Sequence, residues 1–166
     1  MSSENTFTKE NLDNYLKELA KAYRKINGKT FPAEVILVGG AAVLANYGFR
    51  DMTTAIDALI FASSAMKDAI NLVGDRFQLP NGWINADFLH TTSYSEKIVE
   101  FSEYYRTFSN VLTIRTMDAE YLIAMKLRAG RPYKNDLSDI VGILMDHQRQ
   151  GKDITMEQIQ LSLIHI

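Results

Sequence analysis

The chain has no cysteine among its 166 residues. Disulfides, thiol nucleophiles and thiolate metal sites are excluded together. No run of about 18 uncharged apolar residues occurs, so no segment reads as a membrane-spanning helix. The opening MSSENTFTKENLDN lacks the apolar core and basic flank of a secretory leader, and a cytoplasmic setting is expected. Neither sign of charge dominates: 18 Lys and Arg stand against 20 Asp and Glu, for a net charge of −2. That balance excludes read-out of duplex DNA through a broad basic surface, while leaving room for a local basic site. The three histidines, His90, His147 and His165, are far apart and form no ligand pair at helical spacing, so zinc has little support. Repeats and low-complexity tracts are absent as well.

What is present suffices for a folded core. Apolar residues make up 46% of the chain, enough to offset chain entropy and exclude disorder as the main state. The length suits a single domain. Leu12, Tyr15, Leu16, Leu19, Ala20 and Tyr23 recur at helical spacing, predicting an amphipathic helix over 8–27 that ends at Gly28. The β-branched run at 34–38 reads as a buried strand, followed at once by Gly39-Gly40 and a short apolar helix over 41–47. A second strand is expected over 53–61. Ser63 or Ser64 then caps a helix that Gly74 stops. WINADFLH, 83–90, reads as a third strand, and 95–103 as helix or strand. A further strand is expected over 111–115, then a helix opened by Thr116, a loop over 130–135 and a helix over 136–147. Thr155 and Gln158 have capping-box spacing for a last helix. The order predicts an α+β fold: a small mixed sheet with helices packed on it (1–115) and a C-terminal helical bundle (116–166) sharing its core.

Five features could carry chemistry. Gly39-Gly40 joins a strand to a helix, where glycine permits close approach and free N–H groups can meet an anion. The alternative is a tight turn without a ligand. Asp57 lies among apolar residues on the second strand, where a buried carboxylate needs a partner or a metal. A hydrogen bond to a loop or to Arg50 would serve equally. Asp87 repeats that pattern on the third strand. Alone it reads as structural, but two such acids on neighbouring strands can hold Mg²⁺. Lys126, Arg128, Arg131 and Lys134 suit either a phosphate or a solvated helix end; Asp136 and Asp139 suit a helix N-terminus, and Asp136 could also pair with Lys126 or Arg131 across the loop. Tyr104, Tyr105 and Phe108 could stack a base or fill core.

Gly39-Gly40, Arg50, Thr54, Asp57 and Asp87, in this order, resemble the signature of the DNA polymerase β-like nucleotidyltransferase superfamily. Lys126 to Arg131, Lys134-Asn135-Asp136 and Asp139-Ile140 resemble the minimal bacterial branch containing the AbiEii-type toxin nucleotidyltransferases. The resemblance spans roughly 35–144. It implies transfer of a nucleoside monophosphate from an NTP to an RNA, such as a tRNA 3′ end, or to a protein, with two Mg²⁺ ions. It further implies nucleotide contacts from Gly39, Gly40, Arg50, Thr54, Arg131 and Asp136, metal binding by Asp57 and Asp87, and catalytic roles for Asp57, Asp87 and Lys126. An antitoxin protein is an implied partner.

One position departs from that pattern. Thr54-Ala55-Ile56-Asp57 stands where the branch has Thr-Asp-Ile-Asp. Strand alternation would put residues 55 and 57 on one face, so Ala55 occupies the expected place of the first metal ligand. Two accounts follow: an enzyme inactivated at one ligand, or a degenerate copy. The otherwise intact motif favours the first. The competing functional reading is a non-catalytic module that binds a nucleotide or a protein partner.

Overall fold

The computed structural model describes residues 6–91, 94–129 and 136–164. The first helix, α1 (Lys9–Asn27), opens on a reciprocal cap in which Thr8 Oγ1 accepts from Asn11 N and Asn11 Oδ1 accepts from Thr8 N. It ends at Gly28, whose φ of 76° is the left-handed conformation that favours glycine. Leu12, Leu16, Leu19, Ala20 and Tyr23 are all buried.

The chain continues through β1 (Ala33–Leu37), α2 (Gly39–Asn46), β2 (Ile56–Phe61), α3 (Ala65–Arg76) and β3 (Ile84–Asn85). Two 3₁₀ turns (Asp87–His90 and Glu96–Phe101) lead to β4 (Ser102–Phe108) and β5 (Leu112–Met117). Helices α4 (Ala119–Ala129), α5 (Asp136–Arg149) and α6 (Met156–Ile164) complete it. The five strands form one mixed sheet in the order β3-β2-β1-β5-β4. Strand β1 sits at its centre, antiparallel to β2 and parallel to β5, with Leu37 opposite both Ala58 and Thr116. This is the expected α+β architecture. Helix α1 packs on α3, and α4 packs on both α5 and α6. One continuous apolar cluster reaches from α1 through the sheet to Ile140, Ile143 and Ile159. Among the described residues, no helix is long and apolar enough to cross a membrane.

Several boundaries differ from expectation, each for a tertiary reason. The strand expected over 53–61 starts at Ile56, because Thr53 instead forms an isolated bridge with Phe7. Strand β3 has only two residues, so Asp87 lies on a 3₁₀ turn rather than on a strand. There Asn85 Oδ1 accepts from Asp87 N at 3.2 Å, and Phe88 turns inward and is buried. Gly74 does not stop α3. It lies within the helix against the buried Trp83 indole, where a β-carbon would sit 3.2 Å from Cδ1. Thr116 is a strand residue that accepts from Asn46 Nδ2, and the following helix begins at Ala119. The segment left open at 95–103 is a 3₁₀ turn running into β4, a strand not foreseen. The Thr155–Gln158 cap is present, with each residue's N–H bonded to the other's side chain.

Candidate active site

Strand β1 delivers the chain into the glycine pair. Val38 N donates to the Asp57 carbonyl at 3.0 Å, which ties the end of β1 to β2. Gly39 follows with φ +55°, a conformation that side chains resist, and begins α2. A β-carbon there would lie 4.0 Å from Asp57 Oδ2, so Gly39 and the Asp57 carboxylate face each other. The second glycine has a different duty. A β-carbon on Gly40 would meet Thr53 Oγ1 at 3.0 Å and Arg50 Nη2 at 3.1 Å. Its bareness admits those two side chains.

Val38, Gly39, Asp57, Asp87 and Lys126 line one cleft of about 360 Å³. Phe88, Leu122, Met125 and Ala129 form an apolar wall, with Thr91 beside it. Asp57 and Asp87 are exposed and have no ion pair among the described residues. They come together because β2 pairs with β3 at Asp57↔Asn85, two residues before Asp87. Ala55 is half-buried, precedes β2 and is not among the cleft-lining residues. The Thr53 hydroxyl donates to the Ala55 carbonyl at 3.2 Å, and Ile56, between Ala55 and the exposed Asp57, is buried. Among the described residues, no group of three or more His, Asp or Glu side chains could hold a metal. Asp57 and Asp87 bring two carboxylates to the cleft, oxygen donors of the kind a hard cation takes.

Lys126 reaches the cleft from α4 but is largely buried. Its ammonium lies 2.9 Å from Asp139 Oδ2 and 3.3 Å from Asp136 Oδ1. Arg50 Nη1 lies 2.5 Å from the same Asp139 oxygen. Two cations and two carboxylates thus neutralise one another, with both carboxylates under 6% exposed. Arg50 and Asp136, expected at the nucleotide, are engaged in this quartet and do not line the cleft. Thr54 is exposed and outside the lining. Arg131, Lys134 and the rest of 130–135 lie outside the described residues, as does His165. Arg128 is exposed at the end of α4. The bridging role of Asp139 and the apolar wall were missed in sequence. Their signals were the i, i+3 spacing of Asp136 and Asp139 and the helical spacing of Leu122, Met125, Lys126 and Ala129.

The segment after α2 is held to α5 at three points. Tyr47 Oη is 2.8 Å from His147 Nε2, the Phe49 ring lies against Gly142, and Arg50 meets Asp139. Burial, with Glu103 and Asp146 nearby, pushes the Tyr47 phenol well up. The aromatic trio proposed for base stacking sits on β4, outside the cleft lining. Tyr104 is exposed, while Tyr105 donates to Asp13 Oδ1 at 2.8 Å and is pushed up to about 12 by burial and that bond.

A central mixed sheet, a glycine turn heading a helix and two acids on the adjoining edge define a nucleotidyltransferase-like α+β fold. The chain belongs to a family described as nucleotidyltransferases of unknown function (DUF6036), which it matches over residues 14–148. The chemistry of such a family is nucleotidyl transfer from a nucleoside triphosphate. No curated protein and no solved structure matches the chain.

Proposed function

We propose that the cleft binds an NTP with Mg²⁺ and is built for transfer of NMP to an RNA or protein acceptor, with transfer crippled by Ala55. The observation that carries this reading is the meeting of Gly39, Asp57, Asp87 and Lys126 on one cleft. The N–H groups heading α2 and the Lys126 ammonium would contact phosphate oxygens. Asp57 and Asp87 would hold the metal, which when bound supplies charge neutralisation to the triphosphate. Asp87, exposed at the cleft, would also take the proton of the acceptor hydroxyl. That oxygen bonds to the α-phosphorus as the bond to the β-phosphate bridging oxygen breaks, and pyrophosphate leaves. Ala55 offers no oxygen for a second ion, so the rate would fall by several orders of magnitude relative to a complete clamp.

The same alanine supports a second reading, a non-catalytic nucleotide-binding module that acts through a protein partner such as an antitoxin. One experiment separates the two. The protein and Ala55→Asp are each incubated with Mg²⁺, labelled NTPs, and total RNA and protein from a bacterial lysate. Transfer that appears or rises sharply in Ala55→Asp supports the enzyme. Calorimetric Mg·NTP binding without transfer in either form supports the module. Absence of Mg·NTP binding in both forms overturns the nucleotide site.

A further inference from the structure

We infer that Arg50 is a positioning residue, which acts on the cleft only through Asp139 and thereby sets the direction of the Lys126 ammonium. The inference rests on reading Lys126 as the phosphate contact of the cleft. The Arg50 guanidinium is committed elsewhere than the cleft. Its Nε donates to the Met52 carbonyl at 3.1 Å and its Nη1 to Asp139. The guanidinium lies beside Gly40, where a β-carbon would come within 3.2 Å of Cζ. Among the described residues, Asp139 Oδ2 is the one atom that both Arg50 and Lys126 reach. A buried carboxylate shared between two cations holds each less tightly than a carboxylate serving one. Lys126 has three N–H donors, and the quartet leaves it able to present one to the cleft. Without Arg50, the whole charge of Asp139 would fall on Lys126 and draw its ammonium away from the cleft. The segment delivering Arg50 is fixed on α5 by the Tyr47–His147 bond and the Phe49–Gly142 contact, so the guanidinium arrives pre-oriented.

The test is a double-mutant cycle in the full chain, with Arg50→Met, Asp139→Asn and their combination, and Arg50→Lys as the variant that preserves charge. Two readouts are taken: Mg·ATP affinity by calorimetry and the Lys126 ¹⁵Nζ resonance by NMR. Arg50→Met should weaken Mg·ATP binding about tenfold, as loss of an orienting outer partner commonly does. Arg50→Lys should lie between the two. The same Arg50 change in the Asp139→Asn background should have less than a twofold effect (~2). Arg50→Met should move the Lys126 resonance only when Asp139 is present. An undiminished loss of affinity in the Asp139→Asn background would overturn the inference in favour of direct phosphate contact. A Lys126 resonance unmoved by Arg50→Met, or by Arg50→Lys should the first not fold, would overturn it as well. If the protein binds no Mg·ATP, the nucleotide reading fails, and the resonance alone decides whether Arg50 orients Lys126.

Discussion

Two sets of charges meet at the cleft and are treated in opposite ways. Arg50, Lys126, Asp136 and Asp139 are largely buried and neutralise one another. Asp57 and Asp87 are exposed and have no ion pair among the described residues. The first set can be buried because every charge meets an opposite one. The second set avoids that requirement by staying wet, which keeps both carboxylates open to a cation from solution. A buried carboxylate without a partner would be costly, and an exposed ion pair would already be spent. The molecule therefore separates charges that hold α5 against the core from charges left open to solvent at the cleft. Asp118 lies between the extremes, half-buried with Glu120 and Glu103 as like charges and Arg115 as the opposing one.

The strongest way to break this contrast is to remove the shared carboxylate. Asp139→Ala leaves Arg50 and Lys126 buried with Asp136 as the remaining acid of the quartet. Removal of one partner from such a set costs about 3–5 kcal/mol. Chemical denaturation should show that loss, and an unchanged midpoint would mean that water already screens the quartet.

Asp118 tests the intermediate case through pH. Its carboxyl is pushed up to about 6 by burial first, then by Glu120 and Glu103, against an opposing pull from Arg115. The folded state therefore holds this proton more tightly than the unfolded chain does. The associated stability is fully present below about pH 4, the range of an ordinary aspartate, and is lost as pH rises through about 6. Asp118→Asn should abolish that fall. At pH 7 it should raise stability by about 1 kcal/mol, a figure already reduced for solvent screening of a half-exposed group. Below pH 4 the variant and the parent protein should match. Thermal melts across pH 3.5–8 (roughly the span of ordinary carboxylate titration) decide it, and a constant difference at every pH would place the effect in packing instead.

Local patterns were the readable part of this fold. Helix α1 carries its own periodicity and both its caps, so it could be bounded from Thr8 to Gly28 without further knowledge. Strand β1 announced itself by a β-branched run, and the glycine pair by its place after it. What escaped depends on partners far along the chain. Gly74 resembles a helix stop until Trp83 packs on it. Arg50 gives no local sign of its ion pair with Asp139, 89 positions later. Strand β4 has a bulge between Tyr104 and Arg106 and an exposed face, which blurs the alternation by which strands are read. For the cleft, the glycine turn, the two acids and Lys126 were legible as residues. The turn that carries Asp87 was not, because a two-residue edge strand has no pattern to read.

The smallest change in stability should accompany the largest change in ligand behaviour. Asp57→Asn and Asp87→Asn alter exposed side chains with no ion pair among the described residues, so each should shift stability by less than about 0.5 kcal/mol. Their effect should appear only when ligand is added. With the quartet neutral within itself, the described cleft carries the two negative charges of Asp57 and Asp87. A bare triphosphate meets repulsion there, and a divalent cation converts repulsion into attraction. Each amide should therefore weaken Mg·ATP binding about tenfold or more, on the scale of removing one charge-assisted ligand. The doubly substituted protein should bind ATP equally with and without Mg²⁺. Calorimetry in magnesium and in EDTA measures both quantities. Retained magnesium dependence in the double variant would mean that the ion is held elsewhere and that the exposed pair is not its site.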